Sequence, residues 1–174
     1  MAATMPALDA TNLRILALLQ ANARMSNAEI ARMVQIAPSA VYERIRKLEE
    51  SGVIQGYEAR IDPKALGLGV TAFISVRSDD RWGDLTTAEA LARVPEVQEI
   101  HGIAGEDCYL VKVRAADTEA LVKMLGERFG KVDAVRSTRT TIVLRTVKET
   151  AKLPLGGLAT TNVAKAPARN GHGL

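Results

Sequence analysis

The chain has 174 residues, 47% of them hydrophobic and only 3% aromatic, so it can bury a core but must build it from aliphatic side chains. One cysteine excludes an internal disulfide and any multi-cysteine zinc site, and two histidines argue against a histidine-rich metal centre. The formal charge of +3 is gathered at the end: residues 1–60 carry seven Lys/Arg against six Asp/Glu, residues 61–150 thirteen against fourteen, and residues 151–174 three against none. Net charge therefore makes no case for nucleic acid; that case rests on a motif, and a protomer this weakly basic is expected to hold DNA as a dimer or larger assembly. No apolar run approaches the ~20 residues of a membrane helix, and the N-terminus lacks the basic start and apolar core of a signal peptide, so the expected location is the cytoplasm.

A first helix is expected from Asp9 or Thr11 through Ala21, with Leu13, Ile15, Leu16, Leu18 and Leu19 as its apolar positions. Residues 26–33 predict a second helix, because Ser26 and Glu29 stand three apart as a capping box does, and Ile30, Met33 and Val34 make one apolar stripe. Residues 34–37 form a tight connection. A third helix follows from about Pro38 to Ser51, with Pro38 in its first turn, Val41, Ile45 and Leu48 facing the core, and Gly52 ending it. Two short helices joined this way are a helix-turn-helix, whose second helix enters the DNA major groove. At about 100° per residue, Ser39, Tyr42, Glu43, Arg46 and Glu50 point away from the core, with Lys47 at the side. Arg46 suits guanine edges or phosphate, while Ser39, Tyr42 and Lys47 suit backbone contacts, as do Ser26 and Asn27 at the start of the second helix. Arg44 projects nearer the buried side, packing by its stem or reaching a flanking phosphate. The β-branched residues and glycines of 52–61 predict a strand, a turn and another strand: a wing, or a strand leading out of the domain.

Residues 62–67 read as a linker or short turn. Strands are expected at 70–77, 97–103, 108–113 and 140–147, and helices at 84–93, closed by Pro95, and 118–129, capped by Gly130. The order βαββαβ fits a ferredoxin-like sandwich with helices on one face of an antiparallel sheet. The fold class is thus α+β, with a winged helix-turn-helix at 1–61, a ferredoxin-like domain at 62–150 and a flexible basic tail at 151–174.

The ordered set resembles the Lrp/AsnC family of leucine-responsive, or feast/famine, regulators. It runs from Leu8-Asp9 and Ile15-Leu16 through Arg24-Met25-Ser26-Asn27-Ala28-Glu29-Ile30-Ala31 to Pro38-Ser39 and Val41-Tyr42-Glu43-Arg44-Ile45-Arg46-Lys47-Leu48-Glu49-Glu50-Ser51-Gly52. It continues with Pro95-Glu96-Val97, Gly102-Ile103-Ala104-Gly105-Glu106-Asp107-Cys108-Tyr109 and Thr138-Arg139-Thr140-Thr141, covering roughly residues 8–150. The resemblance implies that the C-terminal, RAM-type module dimerises through its sheet, that dimers assemble into an octamer or related ring, and that amino-acid effectors bind between dimers. It carries an effector site onto residues 102–107: Gly102, Ala104, Gly105, Glu106 and Asp107, with His101 entering the loop and Thr138 and Thr140 on the last strand. Gly105 would let backbone N–H groups approach a ligand carboxylate, and Asp107 would accept a ligand ammonium. Two departures stand out. Ala37 replaces the family's usual capping serine, which weakens that cap by ~1 kcal/mol unless Ser39 substitutes. The loop's acid and aromatic, Asp107 and Tyr109, are displaced from the family spacing.

His101 is read as a structural histidine or an effector contact, Cys108 as a small buried residue or an oxidation sensor, and Trp82 as a packing anchor. The expectation is a transcriptional regulator without cofactor or catalytic residues. The alternatives are an effector-sensing or partner-binding module whose DNA contacts have decayed, and a siroheme-decarboxylase-like enzyme of the same fold, against which the Arg44, Arg46 and Lys47 of the third helix and a single histidine in the folded portion both count.

Overall fold

The computed structural model describes residues 8–81 and 83–155. Trp82, and the expected tail from residue 156 onward, lie outside the described residues. The chain forms two compact units: one holds the described residues through Ala59 and again from Thr150, the other is Arg60–Glu149.

The first unit contains three helices. In α1 (Ala10–Ala21), the Asp9 carboxylate caps the end by accepting the Asn12 N–H at 2.7 Å. α2 (Asn27–Val34) begins with the expected capping box. Ser26 Oγ accepts the Glu29 N–H, and a Glu29 carboxylate oxygen accepts the Ser26 N–H at 2.8 Å. The Ser26 hydroxyl also donates to that carboxylate at 2.7 Å, and this bond, with the one from the Ser26 N–H, holds the Glu29 carboxyl below its ordinary range. Gln35 then turns the chain with φ 58°, an unusual left-handed conformation for a residue other than glycine. α3 (Pro38–Glu50) starts with Pro38 in its first turn; Ala37 gives no side-chain cap, and neither Ser39 nor another side chain replaces it.

Ile15, Ile30, Ala31, Val34 and Val41 form this unit's core, with Leu18, Leu19, Met25, Ile36 and Ile45 packed against them. Met33 does not join them and is 49% exposed. Ala31 takes the buried place between Ile30 and Val34, which rotates the apolar stripe by one position away from the expected one. After α3, Gly52 takes φ 73° and the Ile54 N–H bonds back to the Leu48 carbonyl at 3.0 Å. The expected strand-turn-strand at 52–61 is not formed: a turn is followed by chain without regular structure that joins no strand ladder among the described residues. A β-branched pattern favours extension, but a strand needs a partner ladder, and this segment is largely exposed. At its other end the unit regains the chain: the Gln20 side-chain amide donates to the Leu153 carbonyl at 3.2 Å and accepts the Leu153 N–H at 2.7 Å. The first residues of the expected free tail are therefore tied to α1.

In the second unit the expected linker or short turn is a 3-10 turn (Pro63–Leu66). The strands β1 (Val70–Ser78), β2 (Val97–Gly102), β3 (Tyr109–Ala115) and β4 (Val135–Ile142) form one antiparallel sheet in the order β2-β3-β1-β4. α4 (Thr86–Ala92) and α5 (Thr118–Glu127) are the two crossovers. This is the expected ferredoxin-like arrangement. Ala72, Ile74 and Val76 of β1 and Tyr109, Val111 and Val113 of β3 alternate onto one face and pack with Leu91, Leu121, Met124 and Phe129. Phe129, expected at the end of a helix, belongs instead to a 3-10 turn (Phe129–Lys131) that drives its ring into this core. The last strand differs most from expectation: it spans Val135–Ile142, not 140–147. β1 provides the reason. Its ladder runs from Ser78 opposite Val135 to Ala72 opposite Ile142, and beyond that only the bond from the Val143 N–H to the Thr71 carbonyl remains.

Candidate functional site: the face of α3 and the loop between β2 and β3

Val41 and Leu48 are fully buried, which fixes the rotation of α3 and leaves Ser39, Tyr42, Glu43, Arg46 and Lys47 exposed as expected. Tyr42 is 54% exposed. Arg46 is bonded on both sides within its own helix, Nη2 to Glu43 and Nη1 to Glu50, each at 2.8 Å. The Glu43 hydrogen bond leads in holding its guanidinium above its ordinary range. Arg44 turns the other way. Its Nη1 donates to Asp9 at 2.7 Å and to Asn12 Oδ1 at 2.9 Å, joining α3 to the start of α1. Burial pushes the Asp9 carboxyl up, but the Asn12 N–H and the Arg44 guanidinium outweigh it and hold it below 3.8. Ser26 is occupied by the capping box, and Asn27 opens α2 half-buried. Beyond the turn, Tyr57 donates its hydroxyl to Glu49 at 2.9 Å; burial and that bond push its hydroxyl up to about 12. The Asp9–Arg44 pair was missed because its partners stand 35 residues apart; the helix spacing gave the direction of Arg44 and not its partner.

The second candidate is the loop after β2. The Ile103 N–H bonds to the Cys108 carbonyl at 3.0 Å, and the Cys108 N–H to the Val76 carbonyl at 2.8 Å, so both ends of the loop are pinned. Between them Ala104, Gly105 and Glu106 are exposed, as are His101 and Gly102 at the end of β2, and Gly105 takes φ 140°, where a side chain would be strained. The Asp107 carboxylate accepts from Arg139 of β4 at 2.8 Å. Arg139 lies opposite Ser75, on the sheet face away from the helices. Thr138 and Thr140 lie opposite Val76 and Ile74 and point to the other face, so within one chain the structure does not bring these threonines to Asp107. Arg139, between them, is the residue that meets the loop, and a period of two would have shown that the three do not share a face. His101 Nε2 lies 3.4 Å from Glu99, in a loose pair, and the Cys108 thiol lies beside the backbone of Ser78. Among the described residues no group of three His, Cys, Asp or Glu could hold a metal, and no helix is long and apolar enough to cross a membrane.

Two family models match the chain: a winged helix-turn-helix DNA-binding domain over residues 8–55 and an Lrp/AsnC ligand binding domain over residues 71–153. The HTH-type transcriptional regulator FL11 of Pyrococcus horikoshii is 38% identical over 149 residues, covering 85% of this chain and 97% of that protein. The leucine-responsive regulatory protein of Escherichia coli is 35% identical over 150 residues, covering 84% and 90%. Among solved structures, a transcriptional regulator from Neisseria meningitidis in complex with L-Met superposes with a TM-score of 0.81 at 30% identity, covering 87% of this chain and 99% of its own. The feast or famine regulatory protein of M. tuberculosis complexed with L-methionine superposes with a TM-score of 0.78 at 34% identity, covering 84% and 99%. With both of its units matched and relatives this similar along almost their whole length, the chain belongs to the Lrp/AsnC family of transcriptional regulators.

Proposed function

We propose that this protein is a sequence-specific DNA-binding transcriptional regulator whose DNA binding and assembly respond to an amino acid. The observation that carries the reading is α3: its apolar side is locked into the core by Val41 and Leu48, so its opposite side presents Ser39, Tyr42, Glu43, Arg46 and Lys47 as one exposed face. A dimer would set two such helices in successive major grooves about 34 Å apart. Arg44 acts from behind, holding α3 against α1, with any phosphate contact secondary to that. Self-association is favoured by the apolar side chains that the second unit leaves in water after β4, Leu144 at 98% and Val147 at 92% exposed. Octameric assembly, through the effector-bearing domain, is the form expected of the family.

The effector site is placed at residues 102–107. A ligand ammonium would compete with Arg139 for Asp107, and a ligand carboxylate would lie against the backbone N–H groups around Gly105. Such a ligand shifts assembly only through different affinity for different assemblies. Methionine, held by two structural relatives, makes an amino acid the class to test. The protein works as a regulator and not as an enzyme, in the cytoplasm where its DNA is.

The experiment is fluorescence anisotropy of a labelled duplex from upstream of the protein's own gene against a scrambled duplex. It runs across a salt series, with and without the twenty amino acids. Arg46→Ala is expected to weaken specific binding by about 5- to 150-fold, the equivalent of 1–3 kcal/mol for a base-reading pair, with the oligomer unchanged. Unaltered affinity in that variant contradicts the role given to α3. Asp107→Ala is expected to leave ligand-free DNA binding intact and to abolish the response to the amino-acid pool; a retained response removes Asp107 from the site.

A further inference from the structure

The charges of α3 do not look like those of a helix built to grip phosphate. Its six ionisable acids and bases are Glu43, Arg44, Arg46, Lys47, Glu49 and Glu50, three of each sign. Arg44 is turned inward to Asp9, and Glu49 is engaged by Tyr57. What remains on the outward face is a bonded unit, Glu43–Arg46–Glu50, with side chains 50%, 45% and 59% exposed. A carboxylate approaching DNA meets the repulsion of the phosphates and loses its water, so Glu43 on this face penalises binding unless a base edge repays it.

One base pair has the edge that would repay it. In the major groove a G·C pair presents two acceptors, guanine N7 and O6, followed by a donor, the cytosine N4 amino group. An A·T pair presents an acceptor, a donor, an acceptor and a methyl group. A guanidinium carries five N–H donors. Arg46 uses one on Glu43 and one on Glu50, leaving three without an acceptor among the described residues. Glu43 accepts with one oxygen, Oε2, and its other oxygen bonds nothing among the described residues. Donors and a free acceptor thus stand side by side, already fixed to each other by the 2.8 Å bond.

Resting on the assignment of α3 as the reading helix, we infer that Arg46 and Glu43 select a G·C pair as one pre-bonded unit, Arg46 donating to guanine and Glu43 accepting from the cytosine amino group. Glu43 is the specificity-determining member. Arg46 without it would also accept a lone guanine face or a phosphate. Glu50, in the last turn, holds the guanidinium from its other side.

The test is selection from a randomised duplex pool by the full chain, beside Glu43→Gln, Glu43→Ala and Arg46→Ala. The wild type is expected to enrich a G·C pair at one position of each half-site. Both Glu43 variants are expected to lose at least about fivefold of that preference, the low end of what one base-edge contact discriminates, and to bind scrambled duplex more tightly. Arg46→Ala is expected to lose the preference at the same position. Glu43 is exposed, so unchanged circular dichroism in its variants is the folding control. If Glu43→Gln keeps the preference while Arg46→Ala loses it, α3 reads DNA but Glu43 does not select, and the inference fails alone. If every variant keeps it, α3 is not the reader, and both the inference and the assignment beneath it fail. A uniform loss of affinity on all sequences with the preference intact overturns the inference too.

Discussion

Arg46 on α3 and Arg114 on β3 each bond a carboxylate, at 2.8 and 2.9 Å, yet the first side chain is 45% exposed and the second only 14%. Around Arg114 the structure closes. It donates to Thr71, Gln98 and Glu149, while Lys112 beside it, 11% exposed, pairs with both Glu99 and Glu149. Burial pushes the Lys112 ammonium down, and the two carboxylates outweigh it, leaving it above its ordinary value; Lys112 in turn leads in holding Glu149 low. The chain that follows β4 is thereby pinned across the sheet face away from the helices, where Arg60 also donates to the Glu149 carbonyl at 2.7 Å. Around Arg46 nothing closes, and water reaches every partner. The same chemistry therefore does two jobs. Sheltered pairs are costly to break because a charge is left with neither water nor partner, whereas exposed pairs exchange for a ligand at little cost to the fold.

Three measurements separate these regimes. The largest loss is expected from Glu149→Gln, which leaves Lys112 and Arg114 short of a shared carboxylate: about 1–3 kcal/mol by urea denaturation, seen as a lower midpoint at unchanged slope. A loss below 0.5 kcal/mol would mean that the sheet-face network is no more than surface decoration. The Asp9–Arg44 pair, with side chains 46% and 35% exposed, falls between. Because the folded Asp9 carboxyl titrates below its ordinary 3.8, its contribution is fully present above that value and is lost as pH falls through the folded one. Asp9→Asn keeps a capping side chain while removing the charge, so the variant should be less stable than wild type at pH 7 and converge with it in acid. A gap that stays constant with pH would deny the ion pair its role. The smallest effect is expected from Glu50→Gln on α3, within about 0.5 kcal/mol of wild type, since Arg46 keeps Glu43 and its water. A larger loss would place α3's outward charges among the structural ones.

Local signals were legible where their physics is local. The Ser26–Glu29 capping box, a helix start at Asp9 or Thr11, the core-facing side of Val41, Ile45 and Leu48, and the βαββαβ order all rest on spacings of a few residues; each is present, with Asp9 as the cap and Ile45 half-buried. The fold class followed from that order. What failed depended on partners far along the chain. The stretch 140–147 has the composition of a strand, but β1 offers pairing only to Val135–Ile142, so polar Arg136, Ser137 and Thr138 entered the sheet while Leu144 and Val147 left it. The wing pattern at 52–61 met no partner strand at all among the described residues. In the candidate sites, the outward face of α3 was readable from helix geometry. The partners of Arg44 and Asp107 lie 35 and 32 residues away and were not.

The sheet order leaves β2 and β4 at the two edges, and edges are where sheets recruit strangers. Both carry deterrents. The β2 ladder shifts register between Val97 and Glu99, and the β1–β4 ladder between Arg77 and Ser78, so neither rim is a long regular template. β4 also carries Arg136 and Arg139, two cations that an incoming copy of the same strand would have to face. For the proposed assembly of copies this is a route to forbid: repeated strand addition is open-ended and yields fibres, whereas a two-fold contact between like faces closes at two copies.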